Sequence, residues 1–299
     1  MNRRWPDFFI IGAMKAGTTT LHDYLEEHKN IFMVDPKEPG YFSQPKVFSK
    51  GDDWYLSLYD SAEKNQLLGD GSTCYSRWPT YPDVPNRIFE RNPNAKFIYI
   101  VRDPVKRAYS HYRHRMEEIA AFGGEHISFE TAIETDEEML MAGNYAVQIK
   151  QFLEYYPLDS FYILDFEELI NMPENVLKGI FEFLGIKDID IKNTSHKMSN
   201  QSGTVVKRIK ISNKLKNIRR SKFIKPFFDI MTPEMREKIF NFASRVSENS
   251  VLGKNIAEKY VKEVKPPNSE DLEVLCRYYE KRNIEFNELT GFSIEHWSS

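Results

Sequence analysis

The sequence predicts an α/β fold, a three-layer sandwich in which a central, mainly parallel sheet carries helices on both faces. Two observations indicate this class. Apolar segments of strand length alternate with longer segments of helical period, and the first strand runs directly into a glycine-bracketed loop. Strands are predicted at 7–12, 67–70, 96–101 and 161–165. Helices are predicted at 18–28, 80–91, 104–119, 128–140, 145–156, 173–184, 233–247, 253–264 and 269–288.

The length of 299 residues allows one large or two average domains, and the carboxyl third has the character of a helical extension rather than of an independent domain. We predict a single domain over 1–299, with an α/β core over 1–185 and a variable loop and helical extension over 186–299. Within that extension, 192–203 is rich in Asn, Ser and Thr and is predicted to be a loop. Nine Lys or Arg residues and no acid lie in 207–225. Most of these charges are expected to be solvated, and the run could also attract an anionic acceptor or a membrane surface.

The overall charge and the cysteines exclude several classes of protein. The formal net charge is −3, which gives no electrostatic reason to expect a nucleic-acid partner. Cys74 and Cys276 are far apart in the sequence and do not have the spacing of metal ligands. With only two cysteines in a chain of this length, we expect a reducing compartment rather than a disulfide framework. No apolar run approaches 18 residues. We therefore expect a cytoplasmic protein without a stable membrane anchor.

The loop after the first strand has the spacing of a phosphate-binding loop. Gly12 and Gly17 keep the G-x-x-x-x-G pattern, which makes the predicted sandwich P-loop-like. The Lys-Ser/Thr pair that normally follows the second glycine is replaced by Thr18 and Thr19, and the lysine lies inside the loop as Lys15. Loop amides and a helix start bind anions, but a nucleotide triphosphate also needs a held Mg²⁺. The displaced lysine therefore indicates another anion, one handled without a metal.

A second strand-to-helix junction carries a candidate anion ligand. The strand at 96–101 ends at Arg102, where open α/β sheets bind ligands. Asp103 is predicted to cap the following helix, and Pro104 suits its first position. Ser110, two turns into that helix, is a candidate second donor toward the same place.

Together, the segments GAMKAGTTTL (12–21) and YIVRDPVKRAYSHY (99–112) resemble the two nucleotide-binding signatures of the sulfotransferases. Those enzymes use 3′-phosphoadenosine 5′-phosphosulfate (PAPS) and release 3′,5′-ADP (PAP). DPKEPGYF at 35–42 is similar to the K-E-P segment of the heparan-sulfate-type and many bacterial members. Further segments that match the family's pattern are LGDGSTCY at 68–75, GNY at 143–145, FEFLG at 181–185, and LTGF at 289–292 with Trp297.

The resemblance implies a donor site. The first motif would bind the 5′-phosphosulfate through Lys15, Ala16, Gly17, Thr18, Thr19 and Thr20, and Lys15 would stabilise the leaving phosphate. Arg102 and Ser110 would bind the 3′-phosphate, with Lys207 or Arg208 closing over it. No metal would be required.

The resemblance also implies an acceptor site. Glu38 would be the general base, and Lys37 would bind the phosphosulfate or orient Glu38. Ser72, Tyr75 and Tyr145 are the candidate acceptor contacts. The acceptor, a hydroxyl or an amine, would belong to a small metabolite, a natural product or a glycan. Its identity and the oligomeric state are left open.

Alternative interpretations accompany each residue and the whole protein. Lys15 could be a solvated loop lysine, Glu38 a surface turn residue, and Ser72 part of a capped turn at a strand end. His22 is predicted to be a packed or capping histidine rather than a catalyst. Two rival functions remain: a P-loop kinase or NTPase, and a non-catalytic PAP-binding protein on the same fold. Binding of ATP with Mg²⁺ would favour the first, and PAP binding without turnover the second.

Overall fold

The computed structural model describes residues 4–121, 126–187 and 266–297. Its centre is a five-stranded sheet in which every neighbouring pair is parallel, in the order β2-β3-β1-β4-β5. The strands are β1 (Phe8–Gly12), β2 (Ile31–Met33), β3 (Leu67–Gly71), β4 (Lys96–Val101) and β5 (Phe161–Asp165). Together with the helices around it, this parallel sheet confirms the predicted α/β class.

Each helix predicted within the described residues is present, although most bounds differ by a few residues and the one at 128–140 is divided. The helices are α1 (Thr18–Glu26), α2 (Pro45–Phe48), α3 (Asp52–Ser57), α4 (Val84–Phe89), α5 (Pro104–Ala121), α6 (Phe129–Thr135), α7 (Glu137–Met141), α8 (Tyr145–Leu153), α9 (Phe166–Asn171), α10 (Pro173–Leu184) and α11 (Ser269–Thr290). Short 3₁₀ turns lie at Thr73–Ser76 and Leu158–Ser160. The helices predicted at 233–247 and 253–264, and the loop at 192–203, lie outside the described residues.

Three differences from the predicted elements have local causes. The helix predicted at 128–140 is two helices, because Asp136 caps α7 by accepting a 3.0 Å bond from Met139 N. The segment at 31–34 is not among the predicted strands, yet it contains the edge strand β2, which pairs with β3. The short helices α2, α3 and α9 were not predicted, since four to six residues carry too little helical periodicity.

The apolar core is built on the sheet, and it fixes where the strands end. Phe8, Phe9, Ile10 and Ile11 of β1 are at most 1% exposed, as expected for a parallel strand covered on both faces. The Phe97 ring of β4 stacks on Phe9 of β1 at 5.9 Å and on Phe161 of β5 at 4.9 Å between centroids. The carboxyl ends of β1 and β4 are therefore held side by side, and both lead into the predicted ligand-binding segments.

The described residues divide into two compact units. Residues 109–121, 126–134 and 266–268 belong to one unit, and the remaining described residues belong to the other, which contains the whole sheet. The predicted single domain with a boundary at residue 185 stays a prediction. Within 4–121, 126–187 and 266–297, no helix combines the length and the apolar character needed to cross a membrane.

Candidate active site

The loop between β1 and α1 has the backbone arrangement of an anion site. Gly17 precedes the first residue of α1 with a φ of 88°, and Ala13 N donates to Ile100 O of the neighbouring strand β4 at 2.7 Å. The first amides of a helix have no acceptor within the helix itself, and the helix dipole adds positive potential there. Thr18, Thr19 and Thr20 supply these amides in α1. The loop end is therefore built to attract an anion.

Arg102 brings the second motif to this loop. Its Nη1 donates to Lys15 O at 3.3 Å, although the two residues are 87 positions apart. Burial lowers the pKa of Arg102, and the carboxylates of Glu167 and Asp103 oppose that shift. An arginine guanidinium keeps its charge inside proteins. The Arg102 Nε is buried and finds no hydrogen-bond partner among the described residues. A cation with an unused donor thus lies beside the anion loop.

Tyr145 holds the backbone of Arg102. Its hydroxyl accepts from Arg102 N at 3.2 Å and donates to Arg102 O at 2.6 Å. The tyrosine is 1% exposed and packs against Tyr99, Phe286 and Trp297. Tyr145 was predicted as an acceptor contact, but its burial and its two bonds favour a positioning role at the end of β4.

Phe166 is a site residue that the sequence did not reveal. Its ring lies 4.4 Å from the Arg102 guanidinium, a cation–π distance. Asp165, just before it, is buried at the end of β5 and accepts bonds from Glu167 N at 2.6 Å and from Trp297 Nε1 at 3.1 Å. These bonds fix the start of α9, and with it the ring. No sequence motif marks Phe166; only the sheet order brings it to Arg102.

Gly17 is required by this packing as well as by its backbone. A Cβ on Gly17 would lie 2.8 Å from Cδ2 of Phe166.

We expect Gly17→Ala to cost about 1–2 kcal/mol of stability because of the left-handed backbone. It should also weaken PAP binding about tenfold, because the new methyl group moves the Phe166 ring away from Arg102. Gly185→Ala is the matched control, since Gly185 has a φ of 80° and open space around its Cβ position. Titration calorimetry and thermal melts measure both effects; equal PAP affinity in the two variants would contradict the role of Phe166.

The segment after β2 reaches the same loop through Lys37. The Lys37 Nζ donates to Thr19 Oγ1 at 2.6 Å. Burial lowers the pKa of Lys37, whereas the carboxylates of Glu38, Asp23 and Glu26 act to raise it. Glu38 itself is exposed, so its carboxylate is open to an approaching group. The structure thus brings the K-E-P segment to the anion loop.

Lys15 and Glu38 share an unusual backbone conformation. Among the residues that the structure describes, they are the only non-glycine residues with positive φ, at 70° and 57°. Such conformations cost of the order of 1–3 kcal/mol, and they cluster at functional sites. For Glu38 the conformation is unusual for a second reason, because the proline that follows it disfavours helical backbone angles in the preceding residue. The two residues predicted to act in catalysis are therefore the two whose backbones are held in this region.

Ser72 and Tyr75 lie in a buried network. Ser72 is 0% and Tyr75 1% exposed, and both hydroxyls donate to Asp70 at 2.7 Å. Burial raises the pKa of Tyr75 well above its usual value. Both residues were predicted as acceptor contacts. Because their hydroxyls are bound inside the protein, the structure favours a positioning role for them instead.

The remaining predicted residues lie elsewhere. Ser110 is half-buried on α5 and belongs to the smaller unit, so its pairing with Arg102 stays a prediction. Lys207 and Arg208 lie outside the described residues. His22 is 4% exposed, as predicted for a packed histidine, and its ring nitrogens have no hydrogen-bond partner among the described residues.

A metal ion would find one group of ligands in the described parts of the chain. Atoms of His22, Asp23 and Glu26 that could bind a metal lie within 4.8 Å of one another. The Lys37 ammonium contributes positive charge near the two carboxylates, which opposes binding of a cation there. The anion loop itself has a threonine at the position where a nucleotide-binding loop has lysine.

Several known proteins that resemble this chain are sulfotransferases. A family model described as "Sulfotransferase domain" matches residues 5–251. A heparan sulfate glucosamine 3-O-sulfotransferase 6 from Homo sapiens is 28% identical over 62% of this chain and 54% of its own length. A bifunctional heparan sulfate N-deacetylase/N-sulfotransferase from Drosophila melanogaster is 28% identical over 62% of this chain and 20% of its own. The chain thus spans about half of the first relative and a fifth of the second. Among solved structures, a sulfotransferase from Alicyclobacillus acidocaldarius superposes with a TM-score of 0.56 and 26% identity, covering 73% of this chain and 97% of that one.

Proposed function

Because this chain belongs to the sulfotransferase domain family and is a sulfotransferase, we propose that it moves the sulfuryl group of PAPS to a hydroxyl or amine acceptor. One observation supports the donor site above all others. The Arg102 guanidinium donates a hydrogen bond to the backbone of Lys15, so the two nucleotide-binding motifs lie side by side. Each motif supplies one anion-binding group, and a nucleotide with phosphate groups at both its 5′ and 3′ positions needs two such neighbouring groups.

The residues of the loop bind and orient the donor in this proposal. The amides and hydroxyls of Thr18, Thr19 and Thr20, with Ala16 and Gly17, hold the 5′-phosphosulfate in line for attack. Arg102 binds the 3′-phosphate, together with Ser110 and with Lys207 or Arg208 from the segment outside the described residues. The Phe166 ring packs on the face of the Arg102 guanidinium, and the Tyr145 hydroxyl holds the Arg102 backbone.

The transfer needs one proton acceptor and one stabilising cation. Glu38 removes the proton from the acceptor as the acceptor's oxygen or nitrogen attacks sulfur. The bond between sulfur and the bridging oxygen breaks, and PAP leaves with that oxygen and its electron pair. Lys15 stabilises the negative charge that grows on the bridging oxygen. Lys37, bonded to Thr19, adds a second cation beside the phosphosulfate. A sulfuryl group carries less charge than a phosphoryl group, so these cations replace a metal.

The acceptor side is proposed only by class. The relatives named above are O- and N-sulfotransferases of heparan sulfate, so a glycan acceptor is one candidate. A small metabolite or natural product is the other, and a cytoplasmic location, expected from two free cysteines, favours it. The rival kinase function is disfavoured by Thr18 and Arg102 at the positions where Lys and a Mg²⁺-binding acid are needed.

Turnover tests this proposal directly. The enzyme is incubated with PAPS in EDTA and a panel of glucosamine-containing glycans, phenols, alcohols and amines, and release of PAP is followed. We expect at least one acceptor to raise PAP release well above the rate in water, with no loss in EDTA. Tight PAP binding without any accelerated release would favour the non-catalytic alternative. Hydrolysis of ATP that requires Mg²⁺ would favour the NTPase.

A further inference from the structure

Asp70 lies at the centre of a hydrogen-bond network under the segment that carries Glu38. The carboxylate is 0% exposed and accepts three hydroxyl donors: Tyr55 at 2.6 Å, Ser72 at 2.7 Å and Tyr75 at 2.7 Å. A buried carboxylate is costly unless its oxygens are bonded. Three donors from α3 and the end of β3 are more than a turn at a strand end requires, so the network invites a functional explanation.

One bond connects this network to the K-E-P segment. Gly40 N donates to Ser72 Oγ at 3.2 Å. Because Ser72 gives its only hydrogen to Asp70, its oxygen is left to accept from Gly40. By accepting the Ser72 hydrogen, Asp70 fixes the orientation of the hydroxyl and keeps its oxygen available to Gly40 N.

The peptide units around Gly40 are fixed on both sides. Gly40 O accepts from Ser43 Oγ at 3.0 Å and from Gln44 N at 3.0 Å, while Gly40 N is held by Ser72. Gly40 has a φ of 62°, and a Cβ there would lie 2.8 Å from the Gln44 side chain. Only the proline ring of Pro39, with its restricted φ, separates this fixed point from Glu38.

We propose that Asp70 and Ser72 are positioning residues for Glu38. Asp70 orients the Ser72 hydroxyl, Ser72 holds Gly40 N, and Gly40 with Pro39 keeps the Glu38 backbone at its positive φ. This inference rests on the proposed function, since it assumes that Glu38 is the base. It explains why Ser72 and Tyr75, which the sequence suggests as acceptor contacts, are buried beneath the site.

The network offers a matched pair of variants. Ser72→Ala and Tyr55→Phe each remove one hydroxyl donor to Asp70, but only Ser72→Ala releases Gly40 N. We expect Ser72→Ala to speed amide hydrogen exchange in the peptide over 37–42, measured by mass spectrometry, while Tyr55→Phe leaves that exchange unchanged. Ser72→Thr keeps a hydroxyl and should restore slow exchange. This readout needs no acceptor and does not depend on the reaction.

The consequence for the reaction is measured as PAP release from PAPS with water as the acceptor. We expect Ser72→Ala to slow this release about 10- to 100-fold, with PAP affinity within about twofold of the wild type, and Tyr55→Phe to stay near the wild-type rate. The decisive comparison is the double variant Glu38→Gln/Ser72→Ala. If Ser72 acts through Glu38, the double variant should be no slower than Glu38→Gln alone.

The outcomes separate the two proposals. A wild-type rate in Glu38→Gln would remove the base from the proposed function. A low rate of PAP release in Glu38→Gln with a wild-type rate in Ser72→Ala would overturn only the positioning role of Ser72 and Asp70. The same conclusion would follow if the double variant lost the product of the two single-variant fold-losses in rate. Unchanged exchange over 37–42 in Ser72→Ala would overturn it independently of any rate.

Discussion

Replacing Glu38 by Gln should lower the rate of sulfuryl transfer by about 10²- to 10⁴-fold, the usual contribution of a general base. Affinity for PAP should stay within about twofold, because Glu38 contacts the acceptor rather than the donor in the proposed arrangement. Gln keeps the size of the side chain and the exposed position at a φ of 57°, so the loop conformation is retained. Single-turnover PAP release and titration calorimetry measure the two quantities.

Glu26→Gln is the control for this prediction. Glu26 is exposed on α1 and, like Glu38, acts electrostatically on Lys37. Its removal changes the charge near Lys37 without removing the proposed base, so we expect nearly wild-type turnover. An equal loss in both variants would mean that Glu38 acts through Lys37. Normal turnover in Glu38→Gln would contradict the base assignment outright.

Replacing Arg102 by Ala should weaken PAP binding about 10- to 150-fold, which corresponds to about 1.5–3 kcal/mol for a charge-assisted bond. The loss should depend on the 3′-phosphate. Wild-type enzyme should prefer PAP over 5′-AMP, and Arg102→Ala should bind the two nucleotides almost equally. Calorimetry with both ligands on both proteins completes this cycle.

Lys106→Ala provides the matched control. Lys106 is an exposed cation on the first turn of α5, paired with Asp103 at 3.9 Å. Its loss removes the same charge from the same region, yet it should leave the preference for PAP unchanged. If Arg102→Ala retains the full preference, the 3′-phosphate is bound elsewhere, and Arg102 serves only to fix the backbone of Lys15.

The motifs could be predicted from the sequence because their signals are local. The strand at 96–101, the cap at Asp103 and the helix start at Pro104 are determined within a few residues, and the structure confirms all three: Val105 N and Lys106 N donate to Asp103 Oδ1 at 2.9 and 3.2 Å. The glycine spacing likewise predicts the anion loop before α1.

The contacts between motifs could not be predicted, because they depend on the order of strands in the sheet. Phe166 follows β5 and reaches Arg102 only because β5 lies next to β4. The bond from Gly40 to Ser72 requires that β2 and β3 be neighbours. The pattern Asp70-Gly71-Ser72 is compatible with a turn, a ligand site or a buried network, and only the burial of the carboxylate distinguishes them.

The central claim is that the loop and Arg102 form a metal-independent site for a nucleotide with a 3′-phosphate. Titration calorimetry of PAP and of ATP, each with EDTA and with Mg²⁺, tests it most directly. We expect tight binding of PAP that is the same in EDTA and Mg²⁺, with little affinity for ATP under either condition. Binding of ATP that requires Mg²⁺, together with no heat from PAP, would contradict the claim and favour a P-loop kinase or NTPase.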